Sequence, residues 1–136
     1  MEQHVERALE NHHKGYNCAQ AVACAYAELA GVDEETLFKL TEGFGFGMGD
    51  GKDVCGAITG AVTLAGFINS DGPVEKPGSK KKTYELARCI KQAFSEKNQT
   101  VYCHELKGIE TGKVLRSCDG CIADAAEIAN RMLFRE

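Results

Sequence analysis

Apolar residues return every third or fourth position along most of the chain, while strict alternation is almost absent, so the pattern predicts helices throughout. Val5, Ala8 and Leu9, with His12 in step, mark a short amphipathic helix over the first dozen residues, with Gly15 as its C-terminal cap. Asn17 is suited to cap a second helix, Cys18 to Ala30, which Gly31 ends. On it Cys18, Val22, Ala25, Tyr26 and Leu29 share one face, and Cys24 points away from them. Asp33 caps a brief third helix through Leu40 that carries Leu37, Phe38 and Leu40.

A helix from about Val54 to Ile68 is apolar on nearly every side, which places it centrally in the domain or in a dimer interface. Its Gly56, Gly60, Ala57, Ala61 and Ala65 leave a smooth face on which another helix backbone can lie closely. Asn69 to Ser79, with Gly72-Pro73 and Pro77-Gly78, reads as a loop. Beyond it, Thr83 to Lys97 is a charged helix burying Leu86, Ala87, Ile90, Ala93 and Phe94, with Cys89 beside that stripe. Gln99 to Val114 is irregular apart from a turn at Cys103 to Lys107. The last helix starts at Asp119 or Gly120 and runs to Phe134, burying Ile122, Ala125, Ala126, Ala129 and Leu133. The expected architecture is all-α: one domain over residues 1–136, a compact bundle of about five to six helices without internal repeats.

Before the central helix lies Gly43-Phe44-Gly45-Phe46-Gly47-Met48-Gly49-Asp50-Gly51, with a glycine at every second position. The apolar run that follows argues for a shaped loop that delivers Cys55 to a helix start. A phosphate-binding loop of the Walker type needs glycine at Phe46 and Ser or Thr at Asp53, and a dinucleotide fingerprint needs a preceding strand and glycine at Lys52. Both readings fail on residue identity.

Composition narrows the picture further. A net charge of −4 gives no reason to expect nucleic acid or an anionic membrane as partner, and Lys80-Lys81-Lys82 reads as a solvated face. The polar opening Met1 to Glu6 lacks a signal-peptide pattern, and the apolar run Val54 to Ile68 is short for a membrane span. The expectation is a cytoplasmic protein. Thiols stay reduced there, so an odd count of seven cysteines points to ligands or redox groups and away from a disulfide framework.

Cys18, Cys55 and Cys103 open helices, and Cys118 and Cys121 bracket the start of the last one. Free N–H groups and the positive dipole end at such positions favour thiolate, the form that binds metals and attacks disulfides. Helix starts converging on one point would make a four-thiolate pocket. Cys24 and Cys89 lie mid-helix and read as small core residues. His104 reads as exposed, and His12 and His13 as ordinary helix-end residues. Cys118-Asp119-Gly120-Cys121 has the spacing of a redox dithiol but lacks the strand of a thioredoxin-like context. Ile122 replaces the histidine of a c-type haem site, and a zinc ribbon would need a second close pair.

Asn17-Cys18-Ala19-Gln20-Ala21-Val22, Gly43-Phe44-Gly45, Cys55-Gly56-Ala57-Ile58-Thr59-Gly60, Cys103-His104-Glu105-Leu106, and Cys121 ahead of Ala125-Ala126-Glu127-Ile128 together resemble a family of redox-active proteins. That family is named for the pattern C…CGAxxG…C…C, and the resemblance spans nearly the whole chain. It implies that the family's four cysteines fall on Cys18, Cys55, Cys103 and Cys121, with Cys118 an addition to the pattern. It also implies electron transfer, since some relatives are fused to haem-carrying segments, and with it an electron-transfer protein as partner.

Three functions follow from this reading. The first is an iron–sulfur cluster, most simply two-iron two-sulfur, on Cys18, Cys55, Cys103 and Cys121, with backbone N–H groups near Gly45, Gly47 and Gly56 approaching the sulfurs. The second is thiol–disulfide chemistry at Cys118 and Cys121, or at Cys55 with a resolving partner. The third is structural zinc on the same four thiolates. The small-residue face of the Cys55 helix leaves room for a homodimer.

Overall fold

The computed structural model describes residues 2–135. Eight α-helices follow one another: α1 (Glu2–His13), α2 (Cys18–Ala25), α3 (Ala27–Ala30), α4 (Glu34–Thr41), α5 (Gly56–Asn69), α6 (Lys80–Asn98), α7 (Cys103–Lys107) and α8 (Cys118–Ala129). A 3-10 turn (Glu42–Phe44) and a π turn (Gly47–Gly51) lie between α4 and α5, and a second π turn (Asn130–Phe134) extends α8. Among the described residues there is no β-strand, only one antiparallel bridge between Val54 and Tyr102. The fold is all-α, as the periodicity requires.

The expected caps form. Asn17 accepts from the Gln20 N–H at 3.0 Å while the Gln20 side chain accepts from the Asn17 N–H at 2.9 Å, a complete capping box at the start of α2. Asp33 caps α4 through the Thr36 N–H at 3.0 Å. α5 lies at the centre, packed on α2, α6 and α8. Its Ala57, Ile58, Ala61, Leu64 and Ala65 are fully buried, and Ile90, Phe94, Ile122 and Ala125 face them from the neighbouring helices. The small-residue face of α5 is used inside the molecule. A Cβ at Gly60 would come within 2.6 Å of the Ala19 carbonyl oxygen, so only glycine allows α2 to lie this close.

Four boundaries depart from the periodic reading. The expected helix from Cys18 to Ala30 breaks at Tyr26, whose backbone sits at φ −110°, ψ 12°. Tyr26 is fully buried between the rings of His4 and Phe134, at 4.9 and 4.8 Å, and its hydroxyl donates to the Ala126 carbonyl at 2.8 Å. Seating that ring interrupts the helix at this single residue. α5 starts at Gly56, because the preceding residues pair with the strand-like segment at 101–103. α6 starts at Lys80, one turn early, and α8 starts at Cys118, where the Ser117 hydroxyl accepts from the Gly120 N–H at 3.0 Å. Leu29, placed by periodicity on one face with Val22 and Tyr26, is 41% exposed while those two are fully buried, and Leu40 is 49% exposed. No helix among the described residues is long and apolar enough to cross a membrane.

Candidate sulfur site

Five of the cysteines meet at one cavity of about 180 Å3, lined by Cys18, Cys55, Cys103, Cys118 and Cys121 together with His12, Phe46, Gly56, Lys107 and Arg116. Cys18 is the first residue of α2, Cys103 of α7 and Cys118 of α8; Cys55 is the residue that caps α5; Cys121 lies one turn into α8. Helix starts therefore do converge, and the four cysteines assigned to the family pattern are brought together. Cys55, Cys103 and Cys121 are 5%, 5% and 3% exposed and form the floor. Cys18 and Cys118 are half-buried and stand at the mouth.

Backbone hydrogen bonds set the spacing on the floor. The Cys55 N–H donates to the Val101 carbonyl at 2.7 Å and the Cys103 N–H to the Asp53 carbonyl at 2.9 Å, so two segments distant in sequence are laced side by side. The glycine run closes over this lacing. At Gly47, which has φ +52°, a Cβ would stand 2.7 Å from the Cys103 Cβ and 2.9 Å from the Asp53 carbonyl oxygen. At Gly45 it would strike the Asn17 side chain at 2.5 Å, and at Gly56, on the cavity wall, it would press on the Phe44 carbonyl oxygen at 3.0 Å. The run is a close-packed turn, not an open loop. Phe46 and Met48 hold left-handed backbone without being glycine, and Phe46 reaches the cavity with the Lys107 ammonium 5.0 Å from its ring centre.

The remaining wall is built on a buried carboxylate. Asp124 accepts from Lys97 at 2.7 Å, from Asn98 at 3.1 Å and twice from Arg116 at 3.1 Å, with only 1% of its side chain exposed. Burial works against its charge, but these donors outweigh it and hold the carboxyl below its usual range. Arg116, fixed in this way, faces the cavity, and its carbonyl lies 4.0 Å from the Cys121 sulfur.

The thiols act on one another's ionisation as two pairs, Cys18 with Cys118 and Cys55 with Cys121. In each pair one sulfur ionises first and the other stays a donor. Cys118 is drawn down to about 5 by the Cys18 thiol, against burial, with help from the Lys107 charge. Cys55 is lowered by the Cys121 thiol and by the N–H groups of Ala57 and Ile58 at the start of α5. Cys18 and Cys121 are pushed up by their role as donors and by burial, and Cys103 is pushed up by burial and by the nearby Cys55. This corrects the expectation that every helix start favours thiolate. The dipole end acts on each, but a shared proton or a buried wall decides which sulfur is charged.

Other assignments change as well. Cys118 belongs to the site on equal terms with the four expected cysteines. Its position at the first residue of α8 was the available signal, and the spacing argument for Cys121 obscured it. Cys118 is acted on chiefly by Cys18 of α2 and Cys121 chiefly by Cys55, so the electrostatic partner of each lies outside the Cys118–Cys121 spacing. Cys24 is buried at 3% exposure and its thiol is raised to about 12 by burial, as a core residue should be. Cys89 is exposed, contrary to its assignment to the core, because the buried edge of α6 runs through Ile90, Phe94 and Asn98. His104 is outside the cavity, half-buried and 3.0 Å from Glu110. His12 is not merely a helix-end residue: it lines the cavity. Lys107 and Arg116, unremarked in the sequence, supply the positive charge around the sulfurs.

The chain belongs to the family described as "Putative redox-active protein (C_GCAxxG_C_C)", whose model matches residues 16–132. That stretch takes in α2 to α8 and every cavity cysteine. No curated protein and no solved structure matches the chain significantly.

Proposed function

We propose that the cavity holds a two-iron two-sulfur cluster through cysteine thiolates and that the protein carries single electrons to and from a protein partner. The observation that carries this reading is the gathering of five cysteines on one cavity, where such a cluster requires four. When bound, the cluster supplies a one-electron couple. The chain's own residues do the rest. The two thiol pairs face the cavity from different helices, Lys107 and Arg116 offset the negative charge of several thiolates, and the apolar floor keeps water from the buried sulfurs. The mouth at Cys18 and Cys118, with Phe46 at its edge, is the side from which electrons would enter.

Spacing favours a cluster over a single zinc ion. Sulfurs around one tetrahedral zinc, bonded at about 2.3 Å, stand roughly 3.8 Å apart. Among the described residues no three cysteine sulfurs lie within 4.8 Å of one another; the only three-donor group that does is made of His12, His13 and Asp119. Sulfurs arranged as separate pairs suit a guest with two metal centres. Anaerobic reconstitution should give stoichiometric iron and sulfide with visible charge-transfer absorption, and Cys55→Ala or Cys18→Ala should abolish it. Protein that stays colourless and iron-free, or that takes one zinc under both iron- and zinc-limited growth, overturns the reading.

A second reading rests on the two thiol pairs themselves. Each joins two thiols that line the same cavity, and oxidation of a pair would form one disulfide, the two thiols giving two electrons and two protons to a disulfide-bearing partner. Differential alkylation with peptide mapping separates the two. Reversible Cys18–Cys118 or Cys55–Cys121 crosslinks near cytosolic potentials, in protein that binds no iron, would favour the dithiol.

A further inference from the structure

We infer that His12, His13 and Asp119 form a binding site for a borderline divalent transition-metal ion, of the zinc, cobalt or nickel type, at the rim of the sulfur cavity. One donor atom from each of the three lies within 4.8 Å of the other two. The residues come from two helices that are packed together, the last turn of α1 and the first turn of α8, 106 and 107 positions apart in sequence. His12 approaches one carboxylate oxygen through Nδ1 at 2.8 Å, and His13 approaches the other through Nε2 at 3.0 Å. Both imidazoles are thus aimed at one carboxylate.

The donor types select the ion. Two imidazole nitrogens and one carboxylate oxygen suit zinc, cobalt or nickel, whereas calcium and magnesium prefer all-oxygen sites. Protein ligands to zinc stand at about 2.0–2.2 Å, so the three side chains must draw in from hydrogen-bonded positions. Side-chain exposures of 29% for His12, 63% for His13 and 49% for Asp119 leave them free to do so. The backbone beneath is firm, with Asp119 in a turn capped by Ser117. Three protein donors leave at least one position open to water or a small ligand. Because His12 also lines the cavity, that ion would sit beside Cys118 and add positive charge at the mouth.

The test is a zinc titration of the reduced full-length protein, carried past the amount the thiolates take, with imidazole nitrogens followed by long-range 1H–15N correlation. The expected result is a joint shift of His12 Nδ1 and His13 Nε2 that saturates at one further equivalent, with His4 and His104 unmoved. His13→Ala and Asp119→Asn should each weaken that step by more than about tenfold, the loss seen on removing even an outer partner of a ligand. If both imidazoles stay unmoved, or respond equally in the two variants, the site does not exist. Iron and sulfide content report separately on the sulfur cavity, and Cys55→Ala should leave the histidine response in place.

Discussion

Cys118 and Cys89 are both cysteines on the surface side of a helix, yet they occupy opposite settings. Cys118 begins α8, is drawn down by Cys18 and by the Lys107 charge, and lies on a cavity that four other cysteines share. Cys89 lies in the middle of α6 and is exposed. Cys24 makes the contrast from the other direction: it is as buried as Cys121, but its sulfur lies 3.8 Å from the Glu34 carbonyl and faces no second thiol. Burial alone therefore does not create a sulfur site. What does is the gathering of several sulfurs from different helices around one cavity, with positive charge nearby.

The contrast can be broken most severely through the wall that separates the cavity from α6. Asp124→Ala leaves Arg116 and Lys97 without their shared carboxylate, and the expected cost is about 3–5 kcal/mol of stability, measured by urea unfolding. The same carboxylate gives an acid limb. Its folded pKa lies below the unfolded value, so its contribution is complete above about pH 4 and is lost as pH falls through the lower, folded value. An Asp124→Asn variant should show a shallower acid limb than the wild type. Identical acid limbs would mean that this cluster does not support the cavity wall.

Next in size is Gly47→Ala, which puts a methyl group against the Cys103 Cβ and requires left-handed backbone of alanine, at a cost of roughly 1–3 kcal/mol. It should also lower cluster content in reconstituted protein. Gly49→Ala, which is strained likewise by its φ of +91° but whose added Cβ meets nothing within 4 Å, should spare the cluster. Equal cluster content in the two variants would show that the close approach to Cys103 is not needed.

Alkylation of reduced, metal-free protein sharpens the comparison among the thiols. Cys118, drawn down to about 5, is already thiolate near neutrality, so its rate should change little between about pH 6 and 8, where an ordinary thiol gains steeply. Cys24, raised to about 12 and buried, should stay slow throughout. A Cys118 rate that climbs with pH like that of a free thiol would remove the charge assigned to it. The smallest effects belong to the isolated cysteines. Cys24→Ala should cost about 1 kcal/mol for its lost packing, and Cys89→Ser should change stability by less than about 0.5 kcal/mol. Neither should alter cluster content.

Much of the molecule was legible from residues alone. The 3.6-residue period decided the all-α class, Asn17 and Asp33 marked their helix starts, and the glycines and alanines of α5 announced a close helix contact that Gly60 and Ala19 make. Four cavity cysteines could be named because they stand at or near helix starts, a setting that favours sulfur chemistry, and because their order matched a family pattern. These are local properties, carried by a few neighbouring residues.

Only the tertiary structure decided the rest. Tyr26 breaks its helix because a ring between His4 and Phe134, with its hydroxyl on Ala126, outweighs helix propensity. Cys118 enters the site because α2 and α8 meet there, and which sulfur of Cys18 and Cys118 is charged depends on a partner a hundred residues away in the chain. His12, His13 and Asp119 looked like unrelated surface residues until α1 and α8 packed together. The opening glycine and cysteine pattern told where a sulfur site would be built; the packing of helices distant in sequence determined how many thiols it holds and which of them carries charge.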